Sequence, residues 1–96
     1  MVRFIVQLVQ NFLRNAYRNS LQLAMDQGIK TIAFPSISTG VYSYPLEEAA
    51  EIAIRTVREF YMAHQDAFDY VRFVLFDERT LRAYDEAIFK LSVEKK

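Results

Sequence analysis

Apolar residues recur about every four positions along the first third of the chain. They stand at positions 4/5, 8/9, 12/13, 16/17, 21 and 24, which predicts a helix from about residue 9 that ends at Gly28. A spacing of four winds an apolar stripe by about 40° per repeat on a straight helix. Either this helix contacts two different surfaces, or residues 2–9 form another element, since VRFIVQLV is β-inclined and could be a strand. The structure of residues 2–8 is left open at this point.

Strand and helix patterns alternate along the rest of the chain. Thr31–Phe34 is typical of a short buried strand, and the apolar run Tyr70–Phe76 fits a strand in a sheet that is covered on both sides. A helical stripe runs from Pro45 to about Ala63, and Thr80 is the expected N-cap of a last helix. The inner faces predicted for these two helices are Leu46, Ala49, Ala50, Ala53, Val57, Phe60 and Tyr61, and then Leu81, Tyr84, Ile88 and Leu91.

The predicted order α-β-α-β-α indicates an α/β fold with right-handed crossovers. The 96 residues allow one domain, with 52% hydrophobic content and a frayed tail expected at 92–96. Twelve basic and twelve acidic residues cancel, so nucleic acid is not an expected partner. The chain has no cysteine, and we expect a cytoplasmic protein with no signal peptide and no membrane span.

The segment between the first strand and the second helix is rich in small polar residues. Ser36, Ser38, Thr39 and Gly40 follow the carboxyl end of the strand, and Pro45 opens the helix. Open α/β sheets bind anions at this place, because free backbone N–H groups and the helix dipole favour negative charge. The alternative is an ordinary turn in which Gly40 supplies a positive φ.

The run IAFPSISTGVYSYP, residues 32–45, resembles the second phosphate-binding loop of the macro domain family, which binds ADP-ribose. Residues 12–30, 47–60 and 71–88 look like the helix before this loop, the helix after it, and the last strand and helix of the family. Ser43 departs from the glycine usual between the two tyrosines. The resemblance implies a three-layer macro-domain-like α/β fold, truncated to its C-terminal half with a short, mainly parallel sheet, and a single partial domain over residues 1–96.

The resemblance also implies the ligand-binding residues. Backbone amides of the loop would cradle the distal phosphate, Tyr42 would lie against the distal ribose, and Phe76 would pack against adenine. Tyr42 could instead cap the core, and Phe76 could be a core residue in the same row as Val74. The candidate ligand-binding residues are Ser38, Thr39, Gly40, Val41, Tyr42 and Phe76.

No residue pattern points to a catalytic group, a metal site or a cofactor. We expect His64 to be solvated, and we interpret Asp77 and Glu78 as acids that favour a helix start. The predicted function is an ADP-ribose-binding or related nucleotide-diphosphate-binding module. It would be part of an ADP-ribosyl hydrolase, an O-acetyl-ADP-ribose deacetylase or a reader when complete, and inactive alone.

The alternative function is a truncated or degenerate macro-like paralogue that serves as an oligomerisation element without ligand turnover. The expected partners are ADP-ribose or an ADP-ribosylated protein. We also expect a homo-oligomer, formed by edge-to-edge strand pairing or by exchange of residues 2–27, because two strands leave the sheet edges open.

Overall fold

The structure, a computed structural model, describes the backbone of residues 2–35 and 45–94 and the side chains of residues 7–35 and 45–94. Its elements follow the predicted order and form an α/β fold. They are α1 (Val2–Asp26), β1 (Thr31–Pro35), α2 (Leu46–Ala63), β2 (Tyr70–Val74) and α3 (Glu78–Glu94).

Helix α1 begins at Val2, so the strand considered for residues 2–8 is wrong. The β propensity of residues 2–8 is a weak preference, and it is outweighed by the four-residue apolar repeat, which continues through these residues and favours a helix. Burial follows the winding of the stripe: Tyr17 and Leu21 belong to the central core, whereas Val9 and Leu13 are buried outside it. In the described part of the chain no helix, α1 included, is apolar enough over its length to cross a membrane.

Gly28 ends α1 as predicted. Its φ is 74°, its amide donates to the Met25 carbonyl over 3.1 Å, and the Ile29 amide donates to the Ala24 carbonyl over 2.9 Å. These two hydrogen bonds form a Schellman motif, which requires a left-handed residue at this position. The chain therefore turns sharply from α1 into β1.

The two strands are parallel, with Thr31 opposite Tyr70 and Pro35 opposite Val74. Phe34 is buried and Phe73 partly buried on one face, while Tyr70 and Val74 are exposed on the other. The expectation of a sheet covered on both sides is therefore wrong for the described residues. All three helices contribute to one core on the first face, and the outer face remains open.

Tyr17 holds the carboxyl half of the sheet against the helices. Its ring meets the ring of Phe34 edge-on, with centroids 5.1 Å apart, and that of Phe73 at 6.0 Å. Its hydroxyl lies 3.4 Å from the hydroxyl of Tyr84 on α3. This buried aromatic cluster fixes the position of Phe34, the residue before β1 ends.

The inner face of α2 matches the prediction except at its edges. Ala50, Ala53, Val57 and Phe60 are buried, but Ile54 and Thr56 are buried too and Tyr61 is exposed.

The face predicted for α3 is half wrong, because Leu81 and Ile88 are each 48% exposed. Ala83 and Ala87 take their place beside Tyr84 and Leu91. Alanines let the helix backbones approach closely. In the sequence they are a weaker sign of a buried face than leucine or isoleucine.

Asp77, not Thr80, caps the amino end of α3. The Thr80 amide donates to Asp77 Oδ1 over 2.7 Å, and the Leu81 amide donates to the Asp77 carbonyl over 3.0 Å. The expected frayed tail is also wrong for residues 92–94, because α3 continues to Glu94, whose carboxylate lies 3.1 Å from Arg55.

The Asp77 cap predicts a pH-dependent contribution to stability. The hydrogen bond from the Thr80 amide lowers the pKa of the Asp77 carboxyl. The stabilisation is therefore complete above the unfolded-state pKa, about 3.9, and is lost as the pH falls through the folded-state value. We expect Asp77→Ala to lower the melting temperature clearly at pH 7 and less at about pH 2, well below the ordinary carboxyl pKa of about 3.9. Equal losses at both pH values, measured by circular dichroism, would contradict this assignment.

Candidate functional site

The predicted binding segment connects the carboxyl end of β1 to the amino end of α2. β1 ends at Pro35 and α2 begins at Leu46. A strand before this segment and a helix after it are what the sequence predicts. The candidate residues Ser38, Thr39, Gly40, Val41 and Tyr42 belong to this segment and lie outside the described residues.

None of the side chains that the structure describes caps the amino end of α2. Pro45 stands at the N-cap with φ −65° and ψ 136°, and its carbonyl accepts from the Ala49 amide over 3.1 Å. The first amides of a helix have no acceptor within the helix, so those of Leu46–Glu48 remain suited to an anion. In the sequence, Pro45 at the start of the helix is the signal that points to these amides.

The amino end of α3 lies at the same edge of the sheet but is differently arranged. Because β1 and β2 are parallel, their carboxyl ends meet at one edge, and α3 begins four residues after Val74. The carboxylate of Asp77 already accepts hydrogen bonds at this helix end and supplies its negative charge. At α2 no described side chain accepts from the first amides, which leaves them open to an added anion, although Glu47 and Glu48 in its first turn already supply negative charge.

Phe76 stands at this edge with its ring in solvent. It lies two residues beyond Val74, which pairs with Pro35, and it is 88% exposed. The alternative of a core residue in the Val74 row is therefore wrong. Leu75 turns towards the core, and Phe76 points away from it. The structure thus brings Phe76 and the start of the 36–44 segment to the same end of the sheet.

His64 does not belong to this edge. It is the C-cap of α2, at the opposite end of that 18-residue helix, which spans about 27 Å. The expectation of a solvated side chain is wrong: the ring is half-buried, stacks on Phe60 with centroids 4.3 Å apart, and places Nδ1 3.0 Å from the Phe60 carbonyl. Among the described residues no group of three or more acidic, histidine or cysteine side chains could hold a metal.

A polar groove of about 360 Å³ runs between the three helices. Two of its cations pair with Glu51, Lys90 over 3.1 Å and Arg55 over 3.4 Å. Arg55 also lies 3.1 Å from Glu94, which is outside the groove. The hydrogen bond from Lys90, followed by those from Arg55, lowers the pKa of Glu51. We interpret this network as a link between α2 and α3.

Comparison with known proteins connects this fold to a family. The model for the Macro domain matches residues 7–53. A macro domain-containing protein of Chlorobaculum tepidum is 51% identical over 76 residues, which are 79% of this chain and 44% of that protein. This chain belongs to the macro domain family. The family resemblance and the α/β fold inferred from the sequence are thereby confirmed.

Two further macro domain relatives bear on function. The O-acetyl-ADP-ribose deacetylase of Klebsiella pneumoniae is 56% identical over 72 residues, which are 75% of this chain and 41% of that protein. The Trypanosoma brucei macrodomain in complex with ADP-ribose superposes with a TM-score of 0.76 and 38% identity over 82% of this chain and 34% of its own. This chain therefore spans less than half the length of each of these three proteins.

Proposed function

We propose that this macro domain chain binds ADP-ribose at the carboxyl edge of its sheet. Residues Ser38 to Tyr42 would contact the distal phosphate and ribose, and Phe76 would stack on adenine. The observations that carry the proposal are the first amides of α2, which no described side chain caps, and the exposed ring of Phe76 just beyond the carboxyl end of β2. The similarity to a macrodomain in complex with ADP-ribose supports this choice of ligand.

The chemistry of the edge suits a nucleotide diphosphate sugar. Helix amides supply hydrogen bonds and a positive partial charge for phosphate oxygens. An exposed aromatic ring supplies a stacking surface for a base, and such stacking is worth about 1–3 kcal/mol. The two features occur at the same edge, which matches a ligand with a phosphate group and a base.

We propose binding rather than turnover by this chain alone. Asp77 follows the carboxyl end of β2 in the sequence, but its carboxylate already caps α3. His64 lies at the far end of α2. A general base must come within hydrogen-bond reach of the proton that it removes. Hydrolysis of an ADP-ribose linkage, or the deacetylase reaction named for the Klebsiella relative, is proposed only for a complete macro domain.

Calorimetry with ADP-ribose tests the proposed function. We expect saturable binding. The affinity should be lower than that of a complete domain, in which one more charge-assisted hydrogen bond to the ligand would add about 1.5–3 kcal/mol of binding free energy. Gly40→Glu should weaken binding at least tenfold, about 1.4 kcal/mol, because it adds a bulky carboxylate where a phosphate approaches the backbone. Unchanged binding in a folded Gly40→Glu variant would show that the site is wrongly placed.

We also propose that the chain self-associates. The open outer face of the sheet and its unpaired strand edges favour this, because such edges pair with other chains. This assembly role is compatible with ligand binding.

We propose a cytoplasmic location for this chain, which the lack of cysteine supports.

A further inference from the structure

The ring of Phe76 projects from a very short connection. Residues 75–77 join β2, which ends at Val74, to α3, which begins at Glu78. The Phe76 side chain is 88% exposed, so packing of the ring itself does little to fix where the ring lies. The direction of the ring therefore depends on how firmly the backbone on each side of Phe76 is held.

The backbone before Phe76 is held by the sheet and by the core. Val74 pairs with Pro35 of β1, at the last position of the parallel ladder. Leu75 packs against the buried core that the three helices and the sheet share. The chain that enters Phe76 is therefore fixed.

The backbone after Phe76 is held by the cap of α3. Asp77 Oδ1 accepts from the Thr80 amide over 2.7 Å, and the Asp77 carbonyl accepts from the Leu81 amide over 3.0 Å. An N-cap residue has a defined backbone conformation, because its side chain and its carbonyl must both accept from the helix. The cap therefore fixes the chain that leaves Phe76.

We propose that Asp77 is a positioning residue, whose helix cap keeps the Phe76 ring oriented for stacking on the base of the ligand. This inference rests on the ADP-ribose binding proposed above. A ring that is oriented before the ligand arrives loses less conformational freedom on binding, and such preorganisation raises affinity. Asp77 acts through Phe76, because its own carboxylate is engaged by Thr80.

The strength of the cap sets the size of the expected effect. The apparent affinity falls with the fraction of molecules that keep the binding-competent arrangement. We expect Asp77→Ala to weaken ADP-ribose binding about fivefold, the change in equilibrium that corresponds to a typical N-cap. Asp77→Asn should bind like the wild type, because asparagine caps a helix as well as aspartate does. It also removes the charge, so a direct contact of the carboxylate with the ligand would appear as a loss in this variant.

A double-mutant cycle tests whether Asp77 acts through the ring. Calorimetry on the full chain gives the ADP-ribose affinities of the wild type, Asp77→Ala, Phe76→Ala and the double variant. Asp77→Ala should weaken binding when Phe76 is present and change nothing in the Phe76→Ala background, where no ring remains to be positioned. The control variant Glu86→Gly, at an exposed position of α3, weakens the helix without touching the cap and should bind like the wild type.

The outcomes separate this inference from the proposed function. A wild type without saturable binding at millimolar ADP-ribose, where even weak complexes form, would overturn the proposed function. Unchanged binding by Phe76→Ala would overturn the stacking on which the inference depends. Binding that requires Phe76 but is insensitive to Asp77→Ala would overturn the inference alone. The same holds for an Asp77→Ala loss that persists without the ring, that Asp77→Asn shares, or that Glu86→Gly reproduces.

Discussion

Replacing Leu21 with alanine should lower the free energy of unfolding by about 2–5 kcal/mol, while the same substitution at Leu23 should change it by no more than about 0.5 kcal/mol. Leu21 is 1% exposed in the core shared by the three helices, and Leu23 is 61% exposed two residues further along α1. Both changes have the same effect on helix propensity, so the difference measures burial. Urea denaturation followed by circular dichroism gives both values.

The size of this difference matters for so small a protein. A chain of 96 residues has a total stability of roughly 5–14 kcal/mol, so Leu21→Ala would remove a large share of it. Similar losses for Leu21→Ala and Leu23→Ala would mean that α1 presents a different face to the core. An unfolded Leu21→Ala variant beside a native Leu23→Ala variant would agree with the account.

Phe76→Ala should weaken ADP-ribose binding by about 1–3 kcal/mol, which is roughly 5- to 150-fold. The ring is exposed, so its removal should leave stability almost unchanged and reduce only the stacking on adenine. Phe89→Ala is the matched control, because Phe89 is 70% exposed on α3, eleven residues beyond its first residue. Calorimetry with ADP-ribose measures both affinities.

Adenine-free ligands sharpen this prediction. Ribose 5-phosphate lacks the base, so its affinity should be the same for the wild type and Phe76→Ala. An equal loss for ADP-ribose and ribose 5-phosphate would place Phe76 near the phosphate instead. Equal affinity of the wild type and Phe76→Ala for ADP-ribose would remove Phe76 from the site.

Local signals predicted much of this fold because each has a local cause. Gly28 was identified as a helix end because only glycine adopts its positive φ without strain, and the structure has the corresponding Schellman motif. The strand–loop–helix order around residues 36–44 followed from an apolar run, small polar residues and Pro45. The parallel pairing of β1 and β2 follows from the same alternation of elements.

The errors arose where a tertiary contact decides the outcome. The predicted inner face of α3 includes Leu81 and Ile88, but these two are exposed and close packing buries Ala83 and Ala87. Apolar residues on both faces of β2 suggested two covered faces, and a pattern of side chains does not tell which elements are available to cover them. Asp77 became the cap instead of Thr80 because α3 begins earlier than its apolar residues indicate.

Mapping of backbone amides by NMR during a titration with ADP-ribose tests the central claim most directly. Our account predicts saturable chemical-shift changes concentrated in residues 36–44, in the first amides of α2 from Leu46 to Glu48, and at Phe76. Ile54, Tyr61 and Tyr70, which line a groove between α2 and β2, should not respond to the ligand. Changes concentrated along that groove, or the absence of saturable changes at millimolar ligand, where even weak complexes form, would contradict the proposed site.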